Sequence, residues 1–270
     1  MAAALMGTDH YVYRQDGRVY LHKIGGGEPL LFLHLVGASG WSWRKVVDQF
    51  AMHFECYVLD LPGFDHSDIP PRQYSMDDYA TAVLDVMDAA GLEQTDIIGA
   101  RTGAILGMIL AAEHPERVKR LVLNGLPYWD KEHGQIIWEK FFLPQFTDTT
   151  SYHLPVNPLT TWEEDREKNP ALDREAWQKA HDILEKSRLW SRLSEQGNTG
   201  YDIQAIGPKV TQPTLLLFGE NDVLRRSEQR AHSDIKGSIL KTIAGSGGLT
   251  FDDRPEEFVG EVLDFLESKQ

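Results

Sequence analysis

Arg101 stands between Gly99 and Gly103, where a short apolar run (Ile97-Ile98) gives way to a helix-patterned stretch that begins at Thr102 and stops before Pro115. Small residues on either side of one side chain suit a strained strand-to-helix turn that lifts that side chain above a sheet edge. A guanidinium there is always protonated and cannot attack a carbonyl. Beside a helix N-terminus it favours a carboxylate, phenolate or enolate instead. A non-glycine residue in such a turn costs about 1–3 kcal/mol, so either function or inherited architecture keeps it there. A second chemistry-bearing pair, Asp65 and His66, follows an apolar strand-like run at residues 55–60. That is the carboxyl edge of the sheet, where ligands of open α/β folds bind. Neighbouring loop residues often point apart, so a solvated turn is the first reading of this pair and an acid–base pair the second.

The elements that must position these groups alternate along the chain. Residues 11–13 and 19–24, joined at Asp16-Gly17, read as an antiparallel hairpin. Leu30-Leu31-Phe32-Leu33-His34 is a continuous apolar run of the kind expected of a strand covered on both faces. Ser75, with Asp78 three residues on, starts a helix that runs to Gly91. Residues 118–123, 214–218 and 238–243 supply further strands. Strands alternating with helices imply right-handed crossovers and a parallel sheet, hence an α/β fold. Between residues 126 and 206 the rhythm changes. Pro127, Pro144, Pro155, Pro158 and Pro170 break this stretch into short helical pieces, and it holds Trp129, Trp138, Trp162, Trp177 and Trp190 of the seven tryptophans. Aromatic residues gathered in one segment are consistent with an apolar ligand.

At 270 residues and 41% hydrophobic, the chain can bury one core and a smaller lid. A net charge of −14 argues against nucleic acid and anionic membranes as partners. The single cysteine, Cys56, lies in an apolar run and reads as core rather than as a reactive thiol. The first residues lack a basic n-region, and no apolar run reaches 18 residues, so a cytoplasmic protein is expected. Its expected partner is a small-molecule substrate or ligand, with a homodimer left open; no cofactor and no metal are called for.

Several motifs in order resemble the α/β-hydrolase fold family from about residue 20 to residue 268. Gly99-Ala100-Arg101-Thr102-Gly103 matches its nucleophile elbow with arginine at the nucleophile position. His34-Leu35-Val36-Gly37 resembles its oxyanion loop, with Leu35 where glycine is usual. Residues 61–68 resemble its D-x-P-G-x-G-x-S turn, with Asp65 replacing the second glycine. Phe218-Gly219-Glu220-Asn221-Asp222 matches its strand-Gly-x-x-Asp signature, and Asp222 falls on the triad acid. Gly245-Ser246-Gly247-Gly248 resembles its Gly-His loop, and Gly248 occupies the place of the catalytic histidine. The resemblance implies a core of residues 1–125 and 207–270 with a helical cap at 126–206. It also implies oxyanion donors at the Val36 and Thr102 N–H groups, a loop-bracing role for His34, and a pocket lined by Tyr128, Trp129, Gly248 and Leu249.

Of nucleophile, base and acid, this chain would retain only the acid. In a serine protease, losing either of the first two costs on the order of 10^6 in turnover. Three readings follow. The first is a cofactor-independent lyase, decarboxylase, isomerase or cyclase acting on a small apolar carbonyl compound or aromatic acid, with Arg101 stabilising an oxyanion and Asp222 orienting it. The second is a pseudo-hydrolase that binds a ligand. The third is a hydrolase with relocated machinery, using Thr102 or Ser246 with His34, His66, His133, His153 or His181. In the void left at Gly248, Arg101 is long enough to meet Asp222 in a bidentate pair, which would spare that acid from being buried and unpaired and give the arginine a structural role; the functional alternative has Arg101 facing the pocket.

Overall fold

A computed structural model describes residues 7–143, 160–168, 170 and 172–268. Pro144, Pro155, Pro158 and His153 lie outside the described residues. Eight strands form one sheet: β1 (Thr8–Arg14), β2 (Gly17–Gly25), β3 (Pro29–Leu33), β4 (Glu55–Leu59), β5 (Thr95–Ala100), β6 (Val118–Asn124), β7 (Thr214–Gly219) and β8 (Ile239–Ile243), in the order β1-β2-β4-β3-β5-β6-β7-β8. β2 runs antiparallel to β1 and β4, and every pair from β4 to β8 is parallel. The hairpin turn sits one residue earlier than the Asp16-Gly17 signal suggests. Arg14 pairs with Gly17, which leaves Gln15-Asp16 as the loop and puts the flexible glycine, at φ +133°, into the first position of β2.

The helices are α1 (Val47–Phe50), α2 (Met76–Ala89), α3 (Thr102–Glu113), α4 (Lys131–Ile137), α5 (Trp162–Lys168), α6 (Arg174–Thr199), α7 (Ile203–Ile206), α8 (Glu228–Asp234), α9 (Thr250–Asp253) and α10 (Pro255–Glu267). They cover both faces of the sheet. Leu31, Leu33, Ile97, Leu121 and Leu123 pack in one core with α2 and α3. Leu30, Phe32, Ile98, Val122 and Leu215 face the other, with Trp43, Phe251 and α10. Burial on both faces is why the central strands read as unbroken apolar runs. α2 begins with a reciprocal capping box between Ser75 and Asp78.

Helices α4 to α7 lie in the chain between β6 and β7. The 26-residue α6 crosses the core: Trp190 Nε1 donates to Tyr79 Oη at 2.6 Å, and Gln73 Nε2 donates to the Leu193 carbonyl at 3.2 Å. Gly63, at φ +91°, has no room for a Cβ because the Trp190 indole occupies that space. Among the described residues, no helix is long and apolar enough to cross a membrane.

Candidate active site

The elbow is built by close approach. A Cβ on Gly99 would overlap the Gly103 backbone, and a Cβ on Gly103 would overlap the Leu33 carbonyl, so both positions must be glycine for β3, β5 and α3 to meet. Arg101 between them sits at φ +54°, ψ −112°. Its N–H donates to the Asn124 carbonyl at 3.0 Å, which ties the strained residue to the end of β6.

From there the Arg101 side chain runs toward the loop after β8. A Cβ built on Gly248 would overlap Nη2 of Arg101, so the guanidinium fills the space that a side chain at 248 would occupy. The loop is held against this space from two sides. The Asn221 N–H donates to the Ser246 carbonyl at 2.9 Å, and Asn124 Nδ2 donates to Thr250 Oγ1 at 2.8 Å. Arg101 Nη2 lies 3.1 Å from Asp222 Oδ1, and the Asp222 side chain has no exposed surface. The pair is not bidentate: Asp222 Oδ1 also accepts from the Leu224 N–H at 2.9 Å, while Oδ2 is buried with no partner. The Leu224 cap and the guanidinium thus share Oδ1, and Oδ2 stays outside the pair.

Above the elbow, Val36 N–H donates to Thr102 Oγ1 at 3.4 Å, and Asn198 Nδ2 on α6 donates to the same hydroxyl at 3.2 Å. The Thr102 hydroxyl therefore occupies one of the two expected oxyanion donors. The N–H of Thr102 itself, at the first helical position, has no partner within α3. Asn198 Nδ2 also donates to Glu195 Oε2 at 3.3 Å. Glu195 is the ionisable group that the sequence reading missed. Burial pushes its carboxyl up to about 7, against the opposing pull of the Asn198 amide and the Arg101 charge.

That shift has a measurable sign. A carboxyl that titrates near 7 when folded and near 4.5 when unfolded binds more protons in the folded state between those values, so stability falls as pH rises through that window. Glu195→Gln is expected to lack this slope. By chemical denaturation the variant should gain on the wild type from pH 4.5 to 7, by on the order of 2 kcal/mol. Parallel stability curves would show that Glu195 does not titrate between those folded and unfolded values.

The other candidates fall into place unevenly. His34 is fully buried; its Nδ1 meets the Leu35 carbonyl at 2.7 Å and its Nε2 accepts from the Leu61 N–H at 2.8 Å, so it is a brace. Burial lowers its pKa. Tyr128 is 2% exposed and donates to Asp234 on α8 at 3.0 Å, while Trp129 is buried with its carbonyl capping α7; both belong to the core. Leu249 packs against the core beneath the Gly248 loop. Asp65 and His66 do not point apart as solvated loop residues would. His66 Nδ1 sits 2.8 Å from Asp60 and 3.4 Å from Asp65, and the Asp60 contact raises its pKa. Asp65 is buried at φ +40°, a conformation better suited to glycine, with Ser39 and Lys179 as further partners. Asp60, Asp65 and His66 bring metal-ligand atoms within 4.8 Å of one another, but those atoms are already engaged by protein groups.

His133 is exposed and bound to Asp130, and His181 stacks on Trp177 at 4.7 Å, so both serve the inserted segment. Ser246 is buried, its Oγ on Asp253 at 3.2 Å. Among the described residues, neither Ser246 nor Thr102 is hydrogen-bonded to a histidine. Cys56 is buried, and its thiol is pushed up to about 12 by that burial, as befits a core residue.

Comparison with known proteins agrees with this architecture. Over 112 residues, 40% of each chain, the sequence is 38% identical to a 2-hydroxymuconate semialdehyde hydrolase from Pseudomonas sp.. It is 25% identical to epoxide hydrolase 4 of Mus musculus across 98% of this chain and 81% of that one. The crystal structure of the enol-lactonase from Burkholderia xenovorans superimposes with a TM-score of 0.76 at 18% identity, covering 96% of this chain and all of that one. The family model for the alpha/beta hydrolase fold matches residues 28–255. With an eight-stranded, mostly parallel sheet, a positive-φ elbow and a buried acid after β7, the chain belongs to the alpha/beta hydrolase fold family.

Proposed function

We propose that this protein is a non-hydrolytic enzyme of its fold, a lyase, decarboxylase, isomerase or cyclase that stabilises a developing oxyanion on a small carbonyl compound or aromatic acid. The observation that carries this reading is the position of Arg101: its guanidinium stands where a base would stand and is paired with Asp222. A reaction through an acyl-enzyme then lacks both its nucleophile and its proton acceptor. What remains is a guanidinium with one nitrogen on Asp222, the N–H of Thr102 at the start of α3, which has no partner within that helix, and the Asn198 amide of α6 hydrogen-bonded to the Thr102 hydroxyl. These groups favour an enolate, phenolate or carboxylate without attacking it. The relative that shares 38% identity over part of the chain is named for a semialdehyde, a carbonyl compound of the same general kind. The substrate is a small molecule that meets the partly exposed Arg101 side chain, and the reaction needs no cofactor.

The test is a panel of aromatic and β-keto acids, read by mass spectrometry of products and by thermal shift, for the wild type and Arg101→Ala. Product that disappears in the variant is the expected result. A stabilising shift without product would instead make the protein a ligand-binding pseudo-hydrolase. Covalent labelling by a fluorophosphonate probe would overturn the non-hydrolytic reading outright.

A further inference from the structure

Arg101 and Asp222 carry opposite charges 3.1 Å apart and together present little net charge to an incoming ligand. The next ionisable group is Glu195 on α6. Its one described hydrogen-bond partner is the Asn198 amide, which also reaches Thr102 at the start of α3, so one side chain joins Glu195 to the elbow. The charge that acts on Glu195 across the site is the Arg101 guanidinium, with Asp222 behind it; on its own helix Arg192, one turn earlier, is buried. Asn198 is 4% exposed, and its Oδ1 is buried without a partner.

These groups define two charge states. With Glu195 ionised, the three side chains sum to −1 and repel an anion. With Glu195 neutral they sum to zero, and the guanidinium and the Thr102 N–H act on the anion unopposed. The amide offers the proton a place. Turned over, the Asn198 side chain accepts from a protonated Glu195 and from the Thr102 hydroxyl, and the position of the partnerless Oδ1 becomes an N–H donor. We infer that this site takes up a monocarboxylate together with one proton, which Glu195 carries, and that Asn198 turns its amide to match. The inference rests on the proposed anion-stabilising role of the elbow and adds what the ligand must bring with it.

Benzoate is the probe, since it cannot be turned over by proton transfer at carbon. Calorimetric titration at pH 8 in Hepes and in Tris, whose ionisation heats differ, gives the protons taken up per benzoate bound. The wild type should take up close to one, and its affinity should fall about tenfold per pH unit above pH 7. Glu195→Gln should bind benzoate with no proton uptake and with an affinity flat from pH 6 to 8, and Arg101→Ala should lose binding. Arg101-dependent binding without proton uptake overturns the inference and leaves the anion site standing. So does uptake that persists in Glu195→Gln. The wild-type pH slope tests the same point without any variant. Failure of both the wild type and Glu195→Gln to bind benzoate at pH 6 brings down the anion site itself, and the inference with it.

Discussion

Arg101→Ser combined with Gly248→His is expected to convert the protein into an esterase, raising p-nitrophenyl acetate hydrolysis by about 10^3 over the wild type. The full effect of a serine and its base in a protease is on the order of 10^6, and a rebuilt pair on an inherited frame should recover part of that. The frame is in place. Gly248 does not need a positive φ, so its backbone accepts a side chain, and what stands in the way is the Arg101 guanidinium. Removing arginine clears that space. An imidazole entering it approaches Asp222, whose Oδ2 is a buried acceptor without a partner and suits a ring N–H. Neither single substitution should produce the effect: serine alone has no base, and histidine alone collides with arginine. A folded double variant with wild-type hydrolysis rates would show that the elbow and the loop do not face one another as described.

Arg101→Met is the second large expected effect, this time on stability. Asp222 is held at zero side-chain exposure with Arg101 as its charge partner. Taking away one member of a buried pair leaves the other desolvated and costs about 3–5 kcal/mol. Asp222→Asn should cost less, because the capping acceptor for the Leu224 N–H survives and the freed guanidinium keeps 21% of its surface in contact with solvent. The double variant should be more stable than the sum of the singles implies, by about 2 kcal/mol, a value that urea denaturation of all four proteins would give. Additive effects would mean that the 3.1 Å contact carries no coupling.

Steric necessity explains what could be read in advance. Gly99 and Gly103 announce the elbow because any Cβ there would strike backbone, and the apolar runs announce the central strands because both faces are covered. The berth beside Gly248 follows from the same logic, although the pairing through Oδ1 alone, an oxygen shared with the Leu224 N–H, does not. Glu195 and Asn198 are different. They lie on a long helix whose apolar stripe (Ile183, Trp190, Leu193) marks its buried face but not which polar residue beside it reaches the elbow. That face is set by distant contacts, such as Trp190 against Gly63 and Leu184 beside Gly37. Tyr128 and Trp129 show the opposite error: aromatic rings near a sheet edge look like pocket walls, yet Asp234 and the start of α7 absorb them into the core. Asp65 and His66 were paired through Asp60, a partner that lies several residues earlier and becomes visible only once the turn is folded.

The berth occupied by Arg101 also ties two distant positions of the chain to one another. A side chain placed at 248 finds its space filled by the guanidinium, and shortening the residue at 101 leaves a gap beside a buried acid. The two positions therefore resist change one at a time and tolerate it only together.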